Sequence, residues 1–402
     1  MLKADGIRKD TIMSDQAAKN FIKSLFNKFL TLVLPVRKQV FFESFYGKQY
    51  SDNPRAISEK LHEMDPSVRI VWSMNEKRLE NNIDLIPEYV RIVRRKTMQY
   101  RISLIRSFCY VTNEALRPDD LKRNKQYFIQ SWHADRVFKK VLYECWNNEK
   151  KGDRPVPVMD EYMTDLCVAG SAKGEELYRE AFRYHGEILK CGCPRNDKLI
   201  NISDAEKLEI KKRIGISPEK KVLLYAPTYR DRLRNLQDPT IDLKRTVKTL
   251  EENGDEWVCL IRAHTNSKGI RFDYTEKFVN VTFYPDMADI LSVTDMLITD
   301  YSTSATDFVI TGKPVILAAF DKAEYTANCR ELKIDISEPG FIIADTQEDL
   351  EEIIRKTSEE KYADSDKKVM EFFGTEETGY ASQSVCERII NYYNKTFKKR
   401  QS

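Results

Sequence analysis

No run of about 20 apolar residues occurs in this chain, so a membrane-crossing helix is not expected. Excess charge is missing as well. The 66 Lys and Arg are nearly balanced by 63 Asp and Glu, leaving a formal net charge of +3. That argues against a dedicated nucleic-acid binder, although local basic patches survive inside a balanced total. Of the eight cysteines only Cys191 and Cys193 stand close together, and no second pair follows at zinc-like spacing. Reduced, buried thiols of a cytoplasmic protein are the plain reading. The start, Met1 to Asp15, is polar and lacks the apolar core and cleavage site of a secretory signal.

What is present is ordinary globular material. Hydrophobic residues make up 41% of the 402, and charged residues 32%, enough for packed cores. At roughly 100–200 residues per domain the length suggests two domains or one large one. Between Ala18 and Val33 the residues Ala18, Phe21, Ile22, Leu25, Phe26, Phe29, Leu30 and Val33 recur at spacings of three and four, with Lys19, Lys23 and Lys28 off the stripe and Pro35 ending it. This is an amphipathic helix by period. It either packs on the domain behind it or lies on an anionic membrane surface. The basic run Arg91–Lys96, with Arg101 and Arg106, adds contacts in the second case and is a solvated face in the first.

Beyond residue 36 short apolar strands alternate with helical stretches. Gln39–Glu43, Arg69–Ser73, Tyr89–Val93, Cys109–Thr112, Tyr127–Gln130 and Leu166–Ala169 read as strands of a first half. Val222–Tyr225, Trp257–Ile261, Val279–Phe283, Met296–Thr299, Pro314–Ala318 and Phe341–Ala344 read as strands of a second. Pro54–Met64 reads as a helix with Asp52 or Asn53 as N-cap, and the chain from about Lys367 to Lys398 reads as largely helical. The pattern predicts α/β architecture: parallel sheets with helices on both faces. The polar stretch Asn201–Lys220 marks the boundary. The expected division is a helical region over 1–36, a Rossmann-like domain over 37–205, and a second over 206–402 that includes the C-terminal helix.

Ligands of doubly wound sheets bind beyond the carboxyl ends of strands. Those ends carry Ser131–Asp135 (SWHAD), Ala226–Asp231 (APTYRD), Arg262–Asn266 (RAHTN) and Asp300–Asp307 (DYSTSATD). Arg, His, Ser and Thr suit a phosphate-rich ligand. Ser302, Thr303 and Ser304 open a helix whose free N–H groups suit an anion, or simply cap it. Asp307, one turn on, is positioned to accept from a ribose hydroxyl. Of the four histidines, His133 and His264 fall just past strand ends in opposite halves, which places both at one cleft. An imidazole can take a proton from an attacking hydroxyl, and a second can offset charge on a transferring phosphoryl group. His62 reads as surface and His185 as structural.

At this point the chain resembles the CDP-glycerol glycerophosphotransferases, the teichoic acid primase and polymerase family of Gram-positive bacteria. The pieces that carry the resemblance are Phe42–Gly47 (FESFYG), Tyr50–Arg55 (YSDNPR), Val71–Trp72, Gln130–His133 (QSWH), Gly192–Asp197 (GCPRND), Tyr225–Asp231 (YAPTYRD), Arg262–His264 (RAH), Ile298–Asp307 (ITDYSTSATD) and Lys313–Pro314. None is decisive alone, but their order over residues 38–335 is specific. The resemblance implies a GT-B-like pair of domains, with the nucleotide on the second and the acceptor nearer the first. It implies a CDP-glycerol or CDP-ribitol donor, a lipid-linked wall or capsular polymer as acceptor, and no required metal; the Ala18–Val33 stripe, on the second of its two readings, adds a peripheral place on the anionic inner leaflet of the membrane. By position it makes His133 the base, His264 the second essential histidine near the donor phosphates, Ser302, Thr303 and Asp307 the donor-binding turn, and Arg230 and Arg262 basic neighbours of it.

Two departures stand out. After Trp132, His133 and Ala134 this chain has Asp135 and Arg136, with no glycine before Gly152, where the family commonly carries one. Thr303 replaces a common serine. Two rival readings follow: a nucleotide-sugar-dependent GT-B glycosyltransferase, and a non-catalytic module that binds without turnover.

Overall fold

The computed structural model describes residues 26–27, 29–116, 121–145, 159–228, 230, 239–264, 270–329 and 331–398. Near-continuous apolar runs become buried strands. The first sheet holds β1 (Arg37–Glu43), β2 (Arg69–Met74), β3 (Arg91–Arg94), β4 (Ser107–Thr112), β5 (Tyr127–Gln130), β6 (Leu166–Ala169) and β7 (Glu187–Lys190). Their order is β3-β2-β1-β4-β5-β6-β7. The second holds β8 (Lys221–Tyr225), β9 (Trp257–Ile261), β10 (Phe278–Asn280), β11 (Met296–Thr299), β12 (Val315–Ala318) and β13 (Ile342–Ala344), ordered β10-β9-β8-β11-β12-β13. Neighbouring strands run parallel in both, for example Phe42 opposite Trp72 and Leu224 opposite Leu260. In each sheet the chain reverses its direction of winding at one pair, β1/β4 and β8/β11, and the crevice beyond such a pair is where ligands bind. Strand β7 is not expected from the sequence. It is an edge strand whose residues are half-buried or exposed, so it carries no apolar run to detect.

The helices that matter below are α1 (Asp52–Met64), α2 (Asp204–Ile214), α3 (Met287–Val293), α4 (Ser304–Phe308), α5 (Glu359–Phe373) and α6 (Ala381–Phe397). The stretch expected to link the halves forms α2. Ser203 and Glu206 make a reciprocal capping box, and Gly215 at φ +82° closes the helix in the left-handed conformation a Cβ disfavours. Neither Asp52 nor Asn53 caps α1. Ser51 occupies that position, Asp52 takes φ +65°, and Asn53 is drawn inward to other partners.

The C-terminal helix also departs from expectation. Although it follows the second sheet in sequence, Val385, Cys386 and Ile389 of α6 pack with Val40, Phe42, Ile57 and Trp72 of the first domain. Its first N–H groups, Ala381 and Ser382, donate to Asp197 at 2.9 and 2.7 Å. Apolar burial against α1 outweighs proximity in sequence, and the two domains are strapped together.

Residues 18–25 of the expected amphipathic segment, and Lys28 on its polar side, lie outside the described residues. Within Phe26–Val33, Leu30 turns inward while Phe26, Phe29, Leu32 and Val33 are exposed, Leu32 at 85%. Asn27 accepts from Arg101 at 3.2 Å. No described helix is long and apolar enough to cross a membrane. His62 is not a free surface group: its ring stacks on Tyr89 at 3.6 Å.

One buried acid sits far from the cleft. Asp366 on α5 is 3% exposed, and its Oδ2 has no hydrogen-bond partner among the described residues. Burial pushes its pKa up to about 7. The folded state therefore binds a proton more tightly than the unfolded chain between about pH 4 and pH 7, and stability rises as pH falls through that window. Asp366→Asn should raise stability by on the order of 1–2 kcal/mol at pH 8 and change little near pH 4. Thermal unfolding at the two pH values checks this, and an equal effect at both would contradict it.

Candidate active site

A cavity of ≈ 380 Å³ opens where the two winding reversals face each other. Its first-domain wall includes Phe45, just past β1, and His133, past β5. Its second-domain wall includes Ala226–Thr228 past β8, Arg262–His264 past β9, and Ser302–Ser304 past β11. Both histidines singled out in the sequence thus line one space, although 131 residues of chain separate their positions.

His133 is held in one orientation. Its Nδ1 lies 2.8 Å from the carbonyl oxygen of Asn113, at the end of β4. A carbonyl only accepts, so Nδ1 must carry the hydrogen, and in the neutral ring Nε2 is the atom with a free lone pair. The ring packs between Trp132 (4.1 Å) and Phe45 (5.3 Å). The backbone around it is strained: Phe45, Tyr46 and Trp132 have φ of +48°, +54° and +39°, a conformation bulky side chains adopt only when the surroundings enforce it. Those surroundings are visible. Asn113 Oδ1 accepts from the N–H of Phe45 at 2.9 Å. Asn53 Nδ2 donates to the carbonyls of Ser131 and Trp132 at 2.8 and 2.7 Å, and its Oδ1 accepts from the N–H of Arg195 at 3.0 Å.

Arg262 lies half-buried in the cavity wall. One of its terminal nitrogens donates to the carbonyls of Val281 and Tyr284 at 2.9 and 2.8 Å, and no carboxylate forms an ion pair with it among the described residues. Burial lowers its pKa to about 10, only partly offset by Asp286 and Tyr284. A guanidinium partly desolvated with no carboxylate in ion-pair contact favours an incoming anion. Beside it Ser302 and Ser304 share a hydroxyl–hydroxyl bond of 2.8 Å. Thr303, at the N-cap of α4, makes no side-chain capping bond. The hydroxyl of Thr228, buried in the same wall, has no partner among the described residues.

Two expected donor ligands have other work. Arg230 does not line the cavity. It donates to Asp321 and Asp300 at 2.8 Å each and to the carbonyl of Thr228 at 2.6 Å, and it lies over the Tyr301 and Tyr325 rings. It braces the two loops that form the second-domain wall. Asp307 reaches the cavity edge, but its oxygens already accept from Arg136 (2.8 Å), Arg195 (3.0 and 3.2 Å) and Asn196 (3.1 Å). Burial alone would neutralise Asp307; Arg195 and Arg136 keep it ionised, below the usual carboxylate range.

The residues missed by sequence reasoning are those that join the domains. Arg136 bridges Asp307 and Glu377, so the departure after His133 is itself part of this joint. Its neighbour Asp135 accepts from Gly170 N–H (2.9 Å) and Ser171 Oγ (2.6 Å), and a Cβ on Gly174 would fall 1.8 Å from Asp135. Arg195 Nη1 lies buried at the cavity with no hydrogen-bond partner among the described residues. Arg55 of α1 pairs with Asp286 and Asp289, at and within α3, at 2.8 and 3.3 Å. Arg55 and Arg195 lie inside the quoted motifs, which was the available signal; nothing local to either shows its partner.

Two Rossmann-type sheets facing each other across a cleft with a poised imidazole and an unpaired guanidinium define a GT-B-like transferase. The family model described as CDP-Glycerol:Poly(glycerophosphate) glycerophosphotransferase matches residues 26–391, and the chain belongs to that family. It is 30% identical over 397 residues to the teichoic acid glycerol-phosphate transferase of Staphylococcus aureus (strain NCTC 8325 / PS 47), covering 92% of this chain and 99% of that protein. It is 29% identical over 370 residues to the teichoic acid poly(glycerol phosphate) polymerase of Bacillus subtilis (strain 168), covering 86% of this chain but only 48%, about half, of the polymerase. Its fold matches the wall teichoic acid polymerase TagF with a TM-score of 0.78 at 27% identity, over 96% of this chain and 98% of that one. A variant of TagF soaked with CDPG matches at a TM-score of 0.75 and 26% identity, over 94% and 96%.

Proposed function

We propose that this chain moves a glycerol phosphate unit from CDP-glycerol to a hydroxyl of a lipid-linked teichoic acid or capsular polymer and releases CMP. The observation that carries the reading is the pairing of His133, oriented by the Asn113 carbonyl, with the unpaired Arg262 in the wall of the same cavity. The acceptor oxygen attacks the distal phosphorus, the one bearing glycerol, as its proton passes to His133 Nε2. The bond from that phosphorus to the bridging oxygen breaks, CMP leaves with the electron pair, and a phosphodiester forms. Arg262, His264 and the hydroxyls of Ser302 and Thr303 hold the donor phosphates and offset charge on the departing CMP. Positioning and electrostatics carry most of such a transfer. Glycerol is preferred to ribitol because the matching family is described by glycerophosphate.

CMP release from a panel of CDP-glycerol, CDP-ribitol and UDP-sugars, each with a lipid-linked acceptor, tests this. Acceptor-dependent release with CDP-glycerol is expected. Turnover only with a UDP-sugar would overturn the reaction class while leaving the fold untouched.

The acceptor's lipid end calls for a membrane surface, and the exposed Phe26, Phe29, Leu32 and Val33 suit the apolar side of an interfacial helix. The basic run contributes less than its length suggests, since Arg94 pairs with Glu76 and Arg95 with Glu43. Replacing Phe29 and Leu32 with aspartate should release the protein from anionic vesicles in a sedimentation assay. Undiminished co-sedimentation of the folded variant would remove this segment from the membrane contact.

A further inference from the structure

Next to the main cavity lies a second chamber of ≈ 200 Å³, and Phe45, Arg262, Ala263 and His264 line both. On the first-domain side of this chamber stand Lys48 and Arg78, and no Asp or Glu is among its lining residues. Neither Lys48 nor Arg78 forms an ion pair with a carboxylate among the described residues. The backbone segments that carry the two cations are tied together by one buried amide. Asn82 Oδ1 accepts from the N–H of Tyr50 at 2.8 Å, and its Nδ2 donates to the carbonyls of Arg78 (2.6 Å) and Lys48 (3.5 Å). Lys48 is delivered by the left-handed turn Phe45–Gly47, with Gly47 at φ +76°. A cavity walled by Lys, Arg and His with no acid suits a phosphate and repels a cation.

We infer that this chamber is the acceptor subsite, in which Lys48 and Arg78 grip the last phosphodiester of the growing polymer. The inference rests on the transfer reading above. A glycerol phosphate polymer carries its nearest phosphate one glycerol back from the terminal hydroxyl. With that hydroxyl at His133 in the main cavity, the phosphate falls in the adjoining chamber, beyond the shared wall. The donor's phosphates stay on the other side, at Ser302 and Thr303. The chamber thereby selects an acceptor that already carries a phosphodiester over one ending in a neutral sugar.

The test is calorimetric binding of a lipid-free glycerol phosphate oligomer and, separately, of CDP-glycerol to the full chain. The double variant Lys48→Gln/Arg78→Gln should bind the oligomer at least about tenfold more weakly, because each charged hydrogen bond lost is worth that order. CDP-glycerol affinity should stay within about twofold. The charge-retaining variant Lys48→Arg/Arg78→Lys, with an unchanged melting temperature, should recover most of the oligomer binding. Unchanged oligomer binding in the double variant overturns the inference, and so does an equal loss of CDP-glycerol, which would make the chamber part of the donor site. Loss of binding to phosphatidylglycerol vesicles with oligomer binding intact overturns it too, in favour of a lipid headgroup. Since binding needs no turnover, a wild type that holds the oligomer but releases no CMP from CDP-glycerol would sink the transfer reading and leave the chamber's ligand class standing.

Discussion

Exchange of His133 for glutamine is expected to lower kcat by about a thousandfold, the usual contribution of a positioned general base, while CDP-glycerol still binds with nearly wild-type affinity. The expectation follows from where the ring is tied. Nδ1 is committed to the Asn113 carbonyl, so Nε2 is left for the proton of the attacking hydroxyl. Phe45 and Trp132 pack against the ring in tilted contacts, so the proposed base is held in one orientation before any acceptor arrives. His264 lines both chambers, and the proposed function assigns it to the donor phosphates. His264→Gln should therefore weaken donor binding as well as turnover. Steady-state kinetics together with donor calorimetry separate the two. Near-normal kcat in His133→Gln would remove it as base, and a matching loss of donor affinity would move it into the nucleotide site.

Asp307→Asn should be the most destabilising single change in the cleft, by about 3–5 kcal/mol. The carboxylate is buried against Arg136 and Arg195, themselves buried. Its removal leaves Arg136 with Glu377 alone, and Arg195 with only the more distant Asp52, at 3.6 Å. Because the folded-state pKa of Asp307 is lowered, the stability it supplies is fully present above the unfolded carboxylate range and is lost only as pH falls through the lower folded value. The wild type should thus show no loss from this group near neutrality, and the variant should be weak throughout. Apolar replacement of both Asp307 and Arg195 should restore part of the stability by removing the stranded charge. Chemical denaturation measures this. A variant with wild-type stability that fails to bind CDP-glycerol would instead restore Asp307 to the ligand role its position in the sequence suggests.

These residues mark where sequence reading succeeds and where it stops. Short apolar strands such as Tyr127–Gln130 and Met296–Thr299 are legible because burial on both faces leaves an uninterrupted apolar signature. His133 and His264 are legible because rare imidazoles follow such strands directly. Arg230 and Arg262 look alike in sequence, each a cation after a strand. Only their partners differ: two carboxylates neutralise Arg230, and two carbonyls leave Arg262 charged and unmatched. The α6 helix was legible as a helix but not as a strap, since its amphipathic period does not say which domain its apolar face will meet.

By itself the sequence determined the two parallel sheets, the ordered motifs that place the chain in its family, and the two histidines that line the cleft. Each of these depends on local periodicity or on residues adjacent in the chain. Tertiary structure alone decided which cations stay unpaired, how Asp307 and Arg136 lock the domains, and that Lys48 and Arg78 share an acid-free chamber beside the cleft. Charge pairing and desolvation depend on atoms brought within a few ångströms from positions up to 241 residues apart, as Arg136 and Glu377 are, and no local pattern encodes such distances.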